Sequence, residues 1–525
     1  LALESANKLV NKTAAINLKG DYNLDKNEAR MTIGFSDLNP VVFSPISKKL
    51  GVLEYFDLPL TGTVDLVVLR SGEIENVQFN LLSGEGKILS KERNQANVGV
   101  EWINFNGKYD KILRRLYIED LTVKMDQDRA ISLPHLFDNK VTADKISISG
   151  NYDFDFKRLT IQKANIFSKN LAVAASGIIQ KSNDKISFKL DTEVSEFNIK
   201  YLFSVWPRKL AFDTRAWMIK NLAQGVVTGT KVNLIGSYNE ENGFEFSSVL
   251  GVMDYQDVTI EDISYIPKVT QVRGKINFNR KRVDVAVKRA WAEDLLIKNS
   301  RIIFSGLDDI DQYADVKLEI NGSLQSVAKI ADGKPLKFMK SIGSASNFFE
   351  GDFESKTKLN FLLEKNLTFD KVQISSEALL KNVNVSKVAL DLDLKRGDLI
   401  LNLDNDGMSI KGSGLISDIK AEIEWSENFN VNRPYRRKYV ISSVISEQGW
   451  REKLKLNFPP FTKTYTSGLM GVDLTVLVND DGLGELKAKL DLRNTLITLP
   501  RMGWYKPEKV PAVASFSAKF FISKF

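Results

Sequence analysis

The sequence contains no cysteine and a single histidine, His135. The absence of cysteine excludes disulfides, thiolate metal sites and a cysteine nucleophile. A lone histidine removes most zinc chemistry and leaves a Ser/His/Asp mechanism only one candidate base. We therefore predict that His135 is structural and that the chain has no catalytic residue, no metal site and no cofactor.

No stretch reaches the roughly 18 apolar residues that a membrane-spanning helix needs. Charge of one sign is not concentrated either, because 73 basic and 66 acidic side chains are interspersed and leave a net charge of +7. Nucleic-acid binders cluster their cations on one face, so we expect no nucleic-acid partner. The densest basic run, residues 433–438, is predicted to be a solvated loop, with contact to anionic lipid headgroups as the functional alternative.

Linkers and low-complexity tracts are also missing, although a chain of 525 residues would ordinarily form several domains. This absence predicts a single extended architecture made of repeats. We divide it into N-terminal strands, a helical pair, central strands and a C-terminal repeat, at residues 1–195, 196–225, 226–444 and 445–525. No phosphate-binding loop or EF-hand is found, since the glycine-rich stretches lie in hairpin contexts and the Asp-rich stretches lack the required glutamate.

Strict alternation of apolar and polar residues is what the sequence has in abundance. From Val388 to Leu394 every second residue is apolar, while Asp391 and Asp393 occupy the other phase. Side chains on a strand alternate between two faces, so the apolar set points one way. Residues 395–398 are predicted to form a hairpin turn into a second strand of the same kind. The two strands are expected to present on one face Leu390, Leu392, Leu394, Leu399, Leu401 and Leu403.

A second predicted hairpin has the same pattern. Its turn is expected at residues 279–282, between two strands with apolar residues in one phase. The apolar residues of this hairpin are Ile276 and Phe278 before the turn and Val283, Val285 and Val287 after it.

Four short helical patterns interrupt the strands, at residues 46–53, 196–225, 324–330 and 447–454. Three of them precede a strand that begins with glycine, which indicates an internal repeat of very roughly 130 residues. The helical pair is the most distinctive pattern. Two adjacent amphipathic helices can seal the end of a groove or lie on a membrane surface, but we predict that they plug the local core.

The ends of this helical pair are predicted from Pro and Gly. The first helix is expected to end at Trp206, because Pro207 cannot continue it. Asp213 is expected to cap the second helix, and Gly225 is expected to end it.

These few helices cannot cover the apolar face of the strands, and such a face must be buried against something. Three structures would bury or cover such a face: a sandwich of two sheets, a closed outer-membrane barrel, and an open sheet curled into a trough. The helical interruptions argue against a barrel, and the missing linkers argue against a chain of sandwiches. We therefore predict a mainly β fold, an elongated antiparallel repeating β-groove curled like a taco, with a few short helices.

Two segments resemble the YhdP-type branch of the AsmA-like superfamily of Gram-negative bacteria. Residues 206–225 resemble that branch's pattern of Trp-Pro, Leu-Ala, Thr-Arg, Trp, Asn-Leu and Gly, carried here by Trp206, Pro207, Arg215, Trp217 and Gly225. Residues 499–507 resemble the close of a family repeat, carried here by Gly503, Trp504 and Lys506. The repeat-like organisation extends the resemblance over most of the chain.

The resemblance implies a repeating β-groove protein in the periplasm, anchored by an N-terminal inner-membrane helix that would precede this chain. Its expected function is the transfer of phospholipids between the inner and outer membranes, with membrane proteins as further partners at its ends. The apolar residues named above would line the groove and bind acyl chains without catalysis. The alternative is a scaffold that assembles outer-membrane proteins by capturing their strands through β-augmentation.

Overall fold

The structure is a computed structural model. It describes residues 2–3, 14–25, 27–46, 48–89, 97–126, 143–168, 171–205, 212–239, 241–261, 267–332, 349–364, 367–389, 392–430 and 433–521. His135 lies outside the described residues. The predicted fold class is confirmed, because the described residues form a long antiparallel sheet with few helices.

The contacts of the chain divide it into two compact units. Unit 1 comprises Leu1–Gln256 with Ile276–Arg280, and unit 2 comprises Asp257–Lys275 with Lys281–Phe525. This division does not test the four sequence segments, which remain a prediction.

The strands that begin in unit 1 pair antiparallel, in most cases with their neighbours in the chain. They are β1 (Ala2–Leu3), β2 (Ala14–Asn23), β3 (Glu28–Leu38), β4 (Phe56–Asp57), β5 (Leu60–Leu69), β6 (Ile74–Ser83), β7 (Gly86–Ile88), β8 (Val98–Asp110), β9 (Arg115–Met125), β10 (Lys145–Asp153), β11 (Arg158–Ser168), β12 (Leu171–Ser182), β13 (Lys185–Val194), β14 (Phe197–Asn198), β15 (Leu222–Asn239) and β16 (Gly243–Ile260).

The following strands continue the pattern, and a small side sheet joins β29 and β30 to the start of β27. They are β17 (Val269–Asn279), β18 (Arg282–Ala292), β19 (Leu295–Ser305), β20 (Tyr313–Ser323), β21 (Phe349–Leu362), β22 (Gln373–Ala389), β23 (Leu392–Asp404), β24 (Gly407–Ile416), β25 (Ile419–Asn428), β26 (Arg437–Ser446), β27 (Thr466–Val478), β28 (Leu483–Asp491), β29 (Thr495–Leu499), β30 (Trp504–Lys506) and β31 (Val513–Phe521).

The described helices are short, and the five longest of them overlap the predicted interruptions. The α-helices are α1 (Ile199–Val205), α2 (Phe212–Asn221) and α3 (Leu324–Asp332). 3-10 helices span Pro40–Phe43, Lys48–Tyr55, Phe369–Lys371 and Pro500–Met502, and a π-helix spans Gly449–Lys453. None of the described helices is long and apolar enough to cross a membrane.

Within each unit, the longest helical insertions lie at one edge of the sheet. In unit 2, α3 follows the end of β20 and the π-helix follows the end of β26, and both strands run toward the same edge. In unit 1, the 3-10 helices that follow β3 and the helices α1 and α2 that follow β14 share an edge in the same way. We call this side the helix edge of each unit and the opposite side, with the turns after β12 and β23, its open edge.

The hydrophobic cores of unit 2 include residues of the helices at the helix edge. Leu324 of α3 packs in a cluster with Phe353, Leu380 and Leu394. Trp450 of the π-helix is 1% exposed and packs against Ile445 and Met470 in a second cluster. These two helical segments therefore contribute to the cores of unit 2. The plug predicted for the helical pair at residues 196–225 is a separate prediction, and Trp217 and Ile219 of α2 are 49% and 45% exposed.

The hairpin predicted at residues 395–398 is wrong. This segment lies inside β23, where the register against β24 shifts between Lys395 and Asp398 and Arg396 has a φ of 49°. The features describe a β-bulge, which inserts an extra residue and bends the strand. Its backbone is held by side chains of neighbouring residues, because Arg396 N donates to Asn384 Oδ1 at 3.1 Å and Asn382 N donates to Asp398 Oδ1 at 3.2 Å.

The predicted end of the second helix is also wrong. Helix α2 ends at Asn221, whose Nδ2 donates to the carbonyl oxygen of Trp217 at 2.7 Å. Gly225 lies buried inside β15 instead. The chain leaves the helix early because residues 226–227 pair with β14, which a longer helix would prevent. The helix also begins at Phe212, so Asp213 lies within its first turn rather than preceding it as a cap.

Candidate functional site

Cross-strand pairing brings the apolar residues of unit 2 onto one face. Residues directly opposite each other in an antiparallel pair share a face, so successive partners form rows perpendicular to the strands. The middle row crosses from β21 to β31 through Phe353, Leu380, Leu399, Gly412, Ile423, Ile441, Leu474, Ala488 and Phe516. We call the face that carries this row the apolar face of unit 2.

A second row runs parallel to the middle row on the side of the open edge. It contains Ile320, Ser355, Ala378, Leu401, Ile410, Trp425, Tyr439, Val476, Leu486 and Ala518. Many of these side chains are only half-buried. The opposite face is polar, since β21 alternates with exposed Glu350, Asp352, Glu354 and Lys356.

Unit 1 has an equivalent apolar face. Its row of cross-strand partners crosses from β2 to β15 through Leu18, Ile33, Val64, Phe79, Gly107, Ile118, Gly150, Ile161, Gly177, Leu190 and Leu234. The burial of β13 alternates strictly between half-buried and exposed residues. The sequence pattern of the strands is therefore realised as one apolar and one polar side.

Glycines let phenyl rings lie against the sheet on these faces. A Cβ atom at Gly236 would lie 2.8 Å from Cζ of Phe188, its direct cross-strand partner. A Cβ atom at Gly251 would overlap the ring of Phe278 in the same way. A ring that covers a glycine in a strand fills the gap left by the missing side chain. At these two positions the phenyl ring occupies the space that a side chain on the glycine would need.

The structure places most of the predicted lining residues on the apolar faces. Leu394, Leu399, Leu401 and Leu403 share the apolar face of unit 2, because the bulge reverses the phase between Leu394 and Leu399. Val283, Val285 and Val287 pair on one face with Phe304, Ile302 and Ser300. Ile276 and Phe278 belong to unit 1 and are half-buried on β17. Leu390 and the side chain of Leu392 lie outside the described residues.

A charged pair on the apolar face of unit 2 was not predicted. Glu427 of β25 is 2% exposed and faces Arg437 of β26, whose Nε lies 2.9 Å from Glu427 Oε2. Arg436 Nε lies 3.3 Å from Glu427 Oε1. The pair lies beside Met408 in the row nearest the open edge. Its signal was present in the sequence, because Glu427 continues the apolar phase of Ile423 and Trp425.

Two aromatic rings stand next to this charged pair. Trp425 and Tyr439 are cross-strand partners whose rings stack with centroids 5.7 Å apart. Burial raises the pKa of the Tyr439 phenol, so this group stays neutral at physiological pH. The indole N–H of Trp425 is buried and has no hydrogen-bond partner in the described part of the chain. The row nearest the open edge and its neighbour therefore offer polar groups beside an otherwise apolar surface.

None of these arrangements is a metal centre. Among the residues that the structure describes, no group of three or more acidic or histidine side chains is placed to hold a metal ion. What the apolar faces offer chemically is non-directional burial of hydrocarbon.

Both motif segments fall within a region that one known protein family matches. The model of the YhdP protein family matches residues 71–520. The chain belongs to the YhdP family. The resemblance to the YhdP-type branch of the AsmA-like superfamily is thereby confirmed, and it relates the chain to proteins of lipid transport. Neither the curated proteins nor the solved structures searched contained a match.

The first YhdP-family motif is only partly described. Trp206 and Pro207 lie outside the described residues. Arg215 and Trp217 lie on α2, and Trp217 is 49% exposed, although the helical pair was predicted to plug the local core. Gly225 is buried in β15.

The second YhdP-family motif forms the turn between β29 and β30. Gly503 has a φ of 62° at the end of the 3-10 helix, a conformation that favours glycine. Trp504 is 49% exposed, whereas Lys506 is 5% exposed. The Lys506 ammonium group donates to the carbonyl oxygens of Pro507 and Val510 at 2.9 and 3.0 Å. Lys506 therefore holds the segment that leads to β31.

Proposed function

We propose that the protein carries phospholipids, with their acyl chains lying on the apolar faces and their headgroups in water at the open edge. The observation that supports this function is the continuity of the apolar rows across successive strands. A packed core would need a second layer over these residues, yet many of them remain half-buried. Hydrocarbon from a lipid would supply that layer.

The energetics suit a carrier. Each methylene removed from water gains about 0.8 kcal/mol, so a tail of about sixteen carbons could gain on the order of 12 kcal/mol. Strands lie about 4.8 Å apart, so the middle row of unit 2 extends for about 38 Å. An acyl chain in a bilayer leaflet spans about 15 Å, half of the hydrocarbon thickness. Several near-equivalent positions are therefore available to one chain along the row.

Equivalent positions permit movement without a catalytic group. Hydrophobic burial is non-directional, so a lipid that slides along the row exchanges one set of apolar contacts for a similar set. Family membership and the resemblance described above support a site of action in the periplasm, between the inner and outer membranes, in outer-membrane lipid homeostasis. We propose this location together with the function.

Lipid occupancy of a variant pair tests the function. Leu401→Asp places a charge on the apolar face of unit 2, and Asn402→Asp places the same charge one residue away on the exposed opposite face. Burying an unpaired carboxylate is costly, so we expect Leu401→Asp to lose most of its co-purified phospholipid while Asn402→Asp retains it. Bound lipid is measured by native mass spectrometry, and circular dichroism checks that both variants are folded.

Equal phospholipid in both variants, or none in the unmodified protein, would overturn the proposal. Client proteins held by the unmodified protein in place of lipid would instead support the assembly scaffold that acts by β-augmentation.

A further inference from the structure

A hollow at the open edge of unit 2 lies between two chain segments of opposite charge. It is lined by Arg433, Pro434, Tyr435 and Arg436 from the connection before β26, and by Asn479, Asp480 and Asp481 from the turn before β28. Both segments are held in place by hydrogen bonds. Asn428 Nδ2 donates to the carbonyl oxygen of Tyr435 at 2.9 Å, and Arg436 N donates to that of Val478 at 2.9 Å.

The hollow is joined to the apolar face by Arg436. The Arg436 side chain lines the hollow and also reaches Glu427, which lies on the apolar face beside Met408. Glu427 keeps a second and closer partner in Arg437, at 2.9 Å. Arg436 can therefore turn toward a ligand without leaving the buried Glu427 carboxylate unpaired. A molecule with hydrocarbon on the apolar face could place its polar end in this hollow.

The charges in the hollow are accessible and only loosely paired. Arg436 Nη1 lies 3.5 Å from Asp480 Oδ1, which is beyond the usual hydrogen-bond distance. The Arg436 and Asp480 side chains are 38% and 52% exposed. Arg433 is exposed and has no ion-pair partner among the described residues. Asp481 is less available, because its Oδ1 accepts a hydrogen bond from Leu483 N at 2.9 Å.

We propose that this hollow binds the headgroup of a zwitterionic phospholipid, one that carries both a phosphodiester and an ammonium group. Arg433 and Arg436 contact the phosphodiester, since guanidinium groups match phosphate geometry. Asp480 contacts the ammonium group. An anionic headgroup without an ammonium would leave Asp480 facing negative charge, so the hollow favours the zwitterionic lipid. This inference rests on the proposed function and adds a headgroup preference to it.

Replacing Asp480 tests the preference. The purified protein is incubated with vesicles of equimolar phosphatidylethanolamine and phosphatidylglycerol, and the bound lipids are counted by mass spectrometry. An exposed ion pair makes only a small contribution to binding, so Asp480→Asn is expected to lower the ratio of bound phosphatidylethanolamine to phosphatidylglycerol by about threefold. Asp309→Asn is the matched control, because Asp309 is an exposed carboxylate in another turn of unit 2. It should leave the ratio unchanged.

Replacing Arg433 gives the second arm. Both lipids have the phosphodiester, so Arg433→Gln is expected to reduce the amount of both about twofold while their ratio stays constant. Arg501→Gln, which removes an exposed guanidinium at the helix edge, should change neither quantity. An unchanged ratio in Asp480→Asn with normal total lipid would overturn the headgroup site but not the proposed function. Absence of lipid from the unmodified protein would overturn both.

Discussion

At the scale of single residues, buried polar groups stabilise the segments at the ends of strands through hydrogen bonds. Lys506 is the clearest case, because a lysine that is 5% exposed must have its ammonium group satisfied. Two backbone carbonyl oxygens provide this, and they belong to the segment between β30 and β31. The burial and hydrogen bonds of Lys506 thus explain its place in the second YhdP-family motif as a structural one. No contact among the described residues explains the exposed Trp504 of the same motif.

We expect Lys506→Met to loosen this segment. The substitution keeps the length of the side chain but leaves the carbonyl oxygens of Pro507 and Val510 without their donor, at a cost of about 1–3 kcal/mol. Amide hydrogen exchange of residues 508–510 and of Ala512 should accelerate, while exchange in β21 and β22 stays the same. Lys509→Met is the control, since Lys509 is exposed. Equal acceleration in both variants would contradict the role of the buried ammonium group.

Asp153 is a second buried residue that stabilises the end of a strand, and its ionisation makes the stability of the protein depend on pH. A hydrogen bond from Arg115, at 2.8 Å, is the main cause that lowers the pKa of the Asp153 carboxyl group. Asp153 Oδ1 also accepts from Asp155 N and Phe156 N in the turn before β11. A carboxyl group with a lowered folded pKa contributes stability at neutral pH, and the contribution is lost as the pH falls through that pKa.

Asp153→Asn is therefore expected to lower the unfolding temperature at pH 7. The difference from the unmodified protein should shrink below about pH 4, where the aspartate of the unfolded chain becomes protonated. Thermal unfolding of the two proteins between pH 7 and pH 3 measures this difference. A gap that stays constant over the range would show that the charge of Asp153 contributes nothing.

At the scale of elements, the strands were predictable because burial of one face imposes a period of two on the sequence. Where prediction failed, the deciding contact was distant in the chain. Residues 395–398 resemble a turn, but Asn384 and Asp398 stabilise a bulge that only the pairing of β22 with β23 creates. The end of α2 was misplaced because the pairing of β14 with β15 was not visible in the sequence.

The charges of Glu427 and Arg437 in the apolar phase were visible in the sequence, although their pairing was not. Both residues fall in the apolar phase of their strands, where a charge is unexpected unless it is paired. Their pairing with each other depends on the register of β25 with β26, which the sequence alone does not show. A charged residue in the apolar phase of a strand thus indicates a site from the sequence alone. The residue that pairs with it cannot be identified in the same way.

Pairs of phenylalanine and glycine give a testable element of the apolar face. Gly251→Ala is expected to destabilise the protein by about 1–3 kcal/mol, because the added Cβ would overlap the Phe278 ring. In a protein that already has Phe278→Ala, Gly251→Ala should reduce stability less than it does alone. The difference between the two effects is the coupling energy of the two positions. Urea unfolding of the single and double variants measures it.

The control for this pair is Gly34→Ala in β3. Nothing lies within 4 Å of a Cβ atom at Gly34, so this change should have little effect. Additive losses at Gly251 and Phe278 would contradict the proposed packing of the ring over the glycine.

At the scale of the whole molecule, both units repeat the same plan of an apolar face, a polar face and a helix edge. The repetition follows from the sequence pattern, since alternation continues through nearly every strand while the helices remain too few to cover one side. Which residues share a row is set by register and could not be predicted. A ligand that is hydrocarbon for most of its length suits such a surface better than a compact polar substrate.

Photo-crosslinking in living cells tests this account most directly. A photoreactive amino acid is placed at Leu401 or Asn402 in unit 2, and at Leu190 or Lys189 in unit 1, so that each pair compares the apolar face with the polar face of one strand. Phospholipid adducts at Leu401 and Leu190, without adducts at Asn402 and Lys189, are the predicted result. Adducts at none of the four positions, or protein adducts on both faces, would contradict lipid carriage along the apolar faces.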